Sequence, residues 1–116
     1  WELKNGDASW QKITASTPNN EVINTIVFDK SNNIYIASLD KVYELSRGNW
    51  LQIGKELSGT IMDMGFSPGN TLYILSHYAT YANYMYSIIQ LNSQGEWENT
   101  EYTGNGASPI YSIAVN

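Results

Sequence analysis

The sequence predicts an all-β protein built from similar four-stranded antiparallel units. Residues 23–38 and 61–76 align over sixteen positions without a gap, and each segment holds two short β-branched and aromatic runs separated by a turn. No stretch places apolar residues three or four positions apart over eleven or more residues. We therefore predict no helix.

The aligned segments read INTIVFDKSNNIYIAS and IMDMGFSPGNTLYILS. The matched pairs are Ile23 with Ile61, Ile26 with Met64, Phe28 with Phe66, Asn32 with Asn70, Tyr35 with Tyr73 and Ser38 with Ser76. A third copy begins at IYSIAVN (110–116), where Ile113 matches Ile26. Asn, Gly and Pro in the intervening turns provide the backbone angles that tight turns need.

A second pattern recurs in residues 1–13, 42–53 and 88–100. Each copy has an apolar stretch ending in Leu, a polar turn with Gly, and then a Trp, namely Trp10, Trp50 and Trp97. Combining both patterns gives units of four strands, a to d, that repeat at roughly 40–45 residues, which is typical of β-propeller blades. We assign 22–54 and 60–103 to full blades, 1–16 to strands c and d of a split blade, and 109–116 to the first strand of a further blade.

The first unit resembles bacterial β-propeller repeats of the kelch-like, sialidase-type, two-component-regulator-type and tectonin-like groups. The resemblance is carried by Phe-Asp at the first turn, followed by the segments IYIAS, VYEL and GNW. The resemblance covers nearly the whole chain and implies a fold rather than a function. SRGNW and SQGEW keep only the Gly and Trp of the sialidase Asp-box. The resemblance therefore implies no sialidase residues here.

Strand b of the split blade is missing from the pattern, and two or three blades do not close a ring. A blade without strand b would leave backbone groups unpaired on both sides of the gap. We expect the chain to be a segment of a larger propeller. The alternative is a ring assembled from several copies.

The composition excludes several classes of function. The net charge is −5 with six Lys plus Arg, which argues against nucleic-acid and anionic-membrane partners. The apolar runs are far shorter than the ~20 residues of a membrane span. Without cysteine, disulfides and thiolate chemistry are excluded. Few basic residues and many Asn, Ser and Tyr are typical of an exported or surface bacterial protein.

The clearest candidate site is the segment HYATYANYMY (77–86), which lies where the second unit has eight more residues between strands b and c than the first unit. We predict a loop or extended hairpin on the propeller face that usually binds ligands. Tyr78, Tyr81, Asn83 and Tyr84 would form a surface for protein or glycan. The alternative is that these tyrosines lengthen the two strands and pack on the next blade.

A polar row, Thr25, Asp63 and Ser112, recurs in the otherwise apolar strand a. It would line a central channel, or cap backbone groups near the axis.

The recurring tryptophans favour blade packing, with one sugar site per blade as the alternative. His77, the lone histidine, is interpreted as structural, and Glu96, Glu98 and Glu101 as a solvated edge that discourages aggregation.

No phosphate-binding loop, nucleophile motif, metal motif or acid–base pair stands out, so we predict no catalysis, metal or cofactor. The sequence favours a non-catalytic binding or protein-interaction module. A carbohydrate-binding propeller is the first alternative. An enzyme whose catalytic residues lie on other blades is the second.

Overall fold

The computed structural model describes residues 21–79, 84–106 and 113–114, and these residues form strands and turns without a helix. The first four strands are β1 (Thr25–Phe28), β2 (Ile34–Ser38), β3 (Lys41–Ser46) and β4 (Asn49–Ile53). The next four are β5 (Thr60–Phe66), β6 (Leu72–Ala79), β7 (Tyr84–Leu91) and β8 (Trp97–Gly106).

The strands form two antiparallel sheets in chain order, β1-β2-β3-β4 and β5-β6-β7-β8. This confirms the predicted all-β class and its four-stranded antiparallel sheets. The described residues contain no closed ring of sheets. The strands predicted in 1–16 and most of 109–116 lie outside the described residues.

Three turns of five residues share one hydrogen-bonding design, at 29–33, 67–71 and 92–96. In each turn, the polar side chain of the first residue accepts a hydrogen bond from the backbone N–H of the fifth residue. The donor–acceptor distances are 2.9 Å for Asp29, 3.1 Å for Ser67 and 2.9 Å for Asn92. The fourth position has a left-handed backbone, with φ 63 at Asn32, 67 at Asn70 and 76 at Gly95. Asn and Gly adopt this conformation most readily, so these residues fix the turns.

The two sheets pack face to face around one core. Its buried members are Ala37, Val42, Leu57, Ile61, Met64, Leu72, Ile74 and Ile89. Tyr35 of the first sheet meets Phe66 of the second, with ring centroids 4.9 Å apart and tilted by 59°. Side chains alternate between the two faces of a strand. Ile26 and Phe28 therefore lie on the opposite face of the first sheet, away from this core.

The connection between the sheets, residues 54–59, is tied to the β2–β3 turn. Leu57 N–H donates to the Asp40 carbonyl and Ile61 N–H to the Leu39 carbonyl, both over 2.7 Å. Leu57 is 9% exposed and belongs to the core. These contacts set the second sheet's position on the first and bring the ends of both sheets together.

Candidate functional site

The inserted segment extends the second sheet beyond the first. In the first sheet the β2–β3 pairing ends at Ser38↔Lys41, and the aligned pair in the second sheet is Ser76↔Ser87. Three more pairs follow there: His77↔Tyr86, Tyr78↔Met85 and Ala79↔Tyr84. Strand β8 continues alongside, ending with Tyr84↔Gly106. The result is a three-stranded extension about 10 Å long.

This extension holds the predicted site residues that the structure describes. The described residues pair as an extension of β6 and β7, which fits both the predicted extended hairpin and the alternative that this segment lengthens the two strands. Tyr78 is 51% exposed and lies on the same sheet face as Leu72 and Ile74. Tyr84 begins β7, where its backbone pairs with Ala79 and Gly106. Tyr81 and Asn83 lie outside the described residues.

Sequence reasoning did not find a second exposed apolar residue at this end of the molecule. Leu39, in the β2–β3 turn, is 61% exposed and has a left-handed backbone with φ 49. Its carbonyl accepts the N–H of Ile61, and Ile61 pairs with Ser76, two residues from Tyr78. A left-handed leucine is strained. A turn prediction would have placed Asn or Gly there, so the sequence held no signal for it.

The predicted polar row comes together in part. Asp63 accepts hydrogen bonds from Met64 N–H at 2.9 Å, Ile113 N–H at 2.9 Å and the Thr25 hydroxyl at 3.4 Å. It lies at an irregularity in β5, where the register with β6 shifts between Ile61 and Asp63. The carboxylate thus joins β1, β5 and the segment at Ile113. Ser112 lies outside the described residues.

Trp97 joins the two sheets. Its indole N–H donates to the Lys55 carbonyl over 2.8 Å, and its ring covers Gly54, whose φ is 66. Trp50 takes the aligned place in the first sheet, but its buried indole nitrogen has no hydrogen-bond partner within the described part of the chain. Trp10 lies outside the described residues.

A cleft of about 430 Å³ opens between the two sheets at the end opposite the extension. Its lining combines aromatic, aliphatic, amide and hydroxyl groups: Tyr35, Glu44, Ile53, Phe66, Asn70, Thr71, Leu72, Leu91, Asn92 and Ser93. Burial and the neighbouring carboxylates of Glu44 and Asp29 raise the pKa of Tyr35 above its usual value. Its phenol stays protonated and donates to the Asp29 carboxylate over 3.3 Å. Sequence reasoning saw Asn70 and Asn92 only as turn residues, because the cleft exists only once the sheets pack.

The remaining polar candidates are His77, Glu96 and Glu98, because the side chain of Glu101 lies outside the described part of the structure. Among the described residues, no group of three or more His, Asp or Glu is placed to hold a metal ion. Hydrogen bonds from Asn92 and Gln90 lower the pKa of the exposed Glu98. Nor does any helix of sufficient length and apolarity to cross a membrane occur in the described ranges.

Comparison of the chain with protein-family models, with curated proteins and with solved structures gave no match. The resemblance to β-propeller repeats therefore stays a prediction, and the geometry of the chain itself supports the proposals below.

Proposed function

We propose that the two sheets are successive blades of a β-propeller and that the chain is a non-catalytic binding module. Its contact surface is the three-stranded extension together with the adjacent Leu39 turn. One observation carries the proposal: the second sheet continues for three residue pairs beyond the first and presents a half-exposed Tyr78 there.

The chemistry of this surface favours a protein partner. Tyrosine offers a large amphipathic contact area at a small cost in side-chain entropy, and tyrosines are enriched among the residues that dominate binding energies. A strand pair held by main-chain hydrogen bonds keeps Tyr78 in place before binding, which lowers the entropy lost on association. Leu39 adds an exposed apolar neighbour at the same end.

Replacing Tyr78 by Ala tests this proposal. We expect partner binding to weaken at least tenfold, since truncating an anchor residue typically costs about 1–2 kcal/mol or more. The matched control is Leu51→Ala, because Leu51 is 54% exposed on β4, away from the extension. A photo-crosslinking amino acid at 78, with one at 51 for comparison, captures the partner from the source extract. Titration with the purified partner then gives the affinities, and equal losses for both alanine variants would contradict the proposal.

Carbohydrate binding in the inter-sheet cleft is the second candidate, and the composition of the cleft favours it. Aromatic and aliphatic groups supply an apolar floor, while Asn70, Thr71, Asn92 and Ser93 supply amide and hydroxyl groups. Pockets with this mixture of apolar walls and a few polar groups are typical of small-molecule sites.

Calorimetric titration with a panel of neutral oligosaccharides tests this candidate. We expect at least one sugar to bind, and Thr71→Val to weaken it about tenfold, because the valine keeps the shape of the threonine but lacks the hydroxyl. Thr60→Val, at the start of β5 outside the cleft, is the control. Failure of every sugar to bind would exclude the cleft as a carbohydrate site and leave the Tyr78 proposal untouched.

A further inference from the structure

More than half of the exposed large hydrophobic side chains among the described residues lie along one short segment. Seven large hydrophobic side chains are exposed in the described ranges, and four of these lie between 22 and 28: Val22 at 78%, Ile23 at 39%, Ile26 at 50% and Phe28 at 49%. The segment carries no charged side chain. Contiguous apolar patches of this kind mark interaction surfaces, whereas single exposed hydrophobic residues are ordinary.

The aligned residues of the second sheet show how such a surface is covered. Ile61 is 0% exposed, Met64 is 3% exposed, and Phe66 packs against the core. They are buried because the first sheet lies on them, with Tyr35 against Phe66. Ile26 and Phe28 align with Met64 and Phe66 and lie on the corresponding face of the first sheet, which no described strand covers.

The aligned tryptophans of the two sheets also differ, since the one in the second sheet has a hydrogen-bond partner and the one in the first sheet has none among the described residues. Trp97 donates its indole N–H to the backbone carbonyl of Lys55, in the connection that follows β4. Trp50 lies on the Phe28 face of the first sheet and has a buried indole nitrogen without a partner among the described residues. A buried donor without an acceptor is destabilising. Within the described part of the chain, this face therefore offers Trp50 no hydrogen-bond acceptor and has no apolar cover.

The first strands of the two sheets indicate which surface could cover it. Strand β1 lies beside β5, where the Asn24 side-chain amide donates to the Ile61 carbonyl over 3.1 Å and Thr25 reaches Asp63. Ile113 N–H donates to the other oxygen of the same carboxylate. Ile113 aligns with Ile26 and Met64. A row of equivalent segments thus runs from β1 through β5 to Ile113, and within the described residues β1 is the first segment of this row.

We propose that the face formed by Ile26 and Phe28 binds a second copy of this chain head to tail. The partner's segment at Ile113 would lie beside β1 as β1 lies beside β5. The row of equivalent segments then continues from one copy into the next. Because the two contacting surfaces differ, the assembly grows by repetition and either closes into a ring or extends as a filament.

Sedimentation velocity over a wide concentration range tests the proposal. The wild-type chain is expected to form assemblies that are multiples of its 13.0 kDa mass and grow with concentration. Phe28→Lys places a charge on the contact face and is expected to weaken association at least tenfold. Ile26→Lys is a second variant should the first fail to fold, and both side chains are half exposed, so a lysine can reach water. Leu51→Lys, equally exposed on β4, is expected to behave as wild type.

Mixing separates a head-to-tail contact from a symmetric one. Phe28→Lys loses one contact surface but keeps the other, so an excess of it is expected to shorten wild-type assemblies by capping them. In a two-fold dimer through the Phe28 face, the excess would leave the wild-type dimer unchanged, and that result would overturn the proposal. A wild-type mass of 13.0 kDa at every concentration, or equal effects of Phe28→Lys and Leu51→Lys, would also overturn it.

Discussion

Replacing Gly54 by Ala is expected to lower the free energy of unfolding by about 2–5 kcal/mol. Gly54 has a left-handed backbone with φ 66, and a Cβ there would meet Trp97, 2.8 Å from Cε2, 3.1 Å from Cδ1 and closest of all to the indole nitrogen. The left-handed conformation costs an alanine about 1–2 kcal/mol, and overpacking adds about 1–3 kcal/mol. A shift of the Trp97 ring away from this Cβ would strain or break the hydrogen bond from its N–H to the Lys55 carbonyl.

Gly48 is the matched control, because it shares the backbone conformation without the contact. Its φ is 81, and a Cβ there would have no atom within 4 Å. Gly48→Ala is therefore expected to cost only about 1–2 kcal/mol. Urea unfolding of both variants gives the comparison. If the two substitutions cost the same, Trp97 does not pack on Gly54 and the contact between the sheets is wrongly assigned.

The second large loss of folding stability is expected on replacing Asp29, a buried carboxylate whose hydrogen bonds hold the first turn together. Its oxygens accept hydrogen bonds from Ser31 N–H, Asn33 N–H and the Asn33 side-chain amide, each at 2.9 Å, and from the Tyr35 hydroxyl at 3.3 Å. Asp29→Ala leaves these donors without their acceptor, and we expect a loss of about 2–4 kcal/mol at neutral pH. Ser67→Ala removes the single corresponding bond of the second turn, with an expected cost of about 0.5–1.5 kcal/mol.

The pH dependence of stability gives an independent measurement on the same carboxylate. Burial alone raises the pKa of Asp29, but the hydrogen bonds from Asn33, Ser31 and Tyr35 outweigh it and hold the pKa below its ordinary value of 3.8. The stabilisation is therefore complete above the unfolded pKa and is lost as the pH falls through the lower folded pKa. The difference between wild type and Asp29→Ala should be constant near neutral pH and shrink below about pH 4. A difference that stays unchanged into strong acid would show that the charge of Asp29 does not matter.

Local chemistry made the strands and turns predictable. Strands β2 and β6 follow from IYIAS and LYILS, since β-branched and aromatic residues favour extended backbone. Asn32 and Asn70 stand at the turn positions where the structure has positive φ. The grouping into four-stranded antiparallel sheets followed from the same pattern, because each turn is short enough to join neighbouring strands.

The candidate sites were less predictable because they depend on contacts between residues far apart in the chain. The insertion at 77–86 was visible from the sequence, but whether it formed a loop or a strand pair depended on pairing with β8. The inter-sheet cleft unites Tyr35 with Asn92, and the Asp63 carboxylate unites Thr25 with Ile113. No local sequence pattern predicts these contacts between residues that are far apart in the chain.

By itself, the sequence determined the strand order, the turns and the two-sheet composition, because backbone preference and hydrogen bonding within a hairpin are local. The tertiary structure alone decided which face of each sheet is covered. Phe28 and Phe66 occupy aligned positions, yet Phe28 is 49% exposed while Phe66 packs into the core. The physical reason is that a side chain is buried only where a second surface packs against it. Within the described structure, the first sheet packs against Phe66, and no strand packs against Phe28.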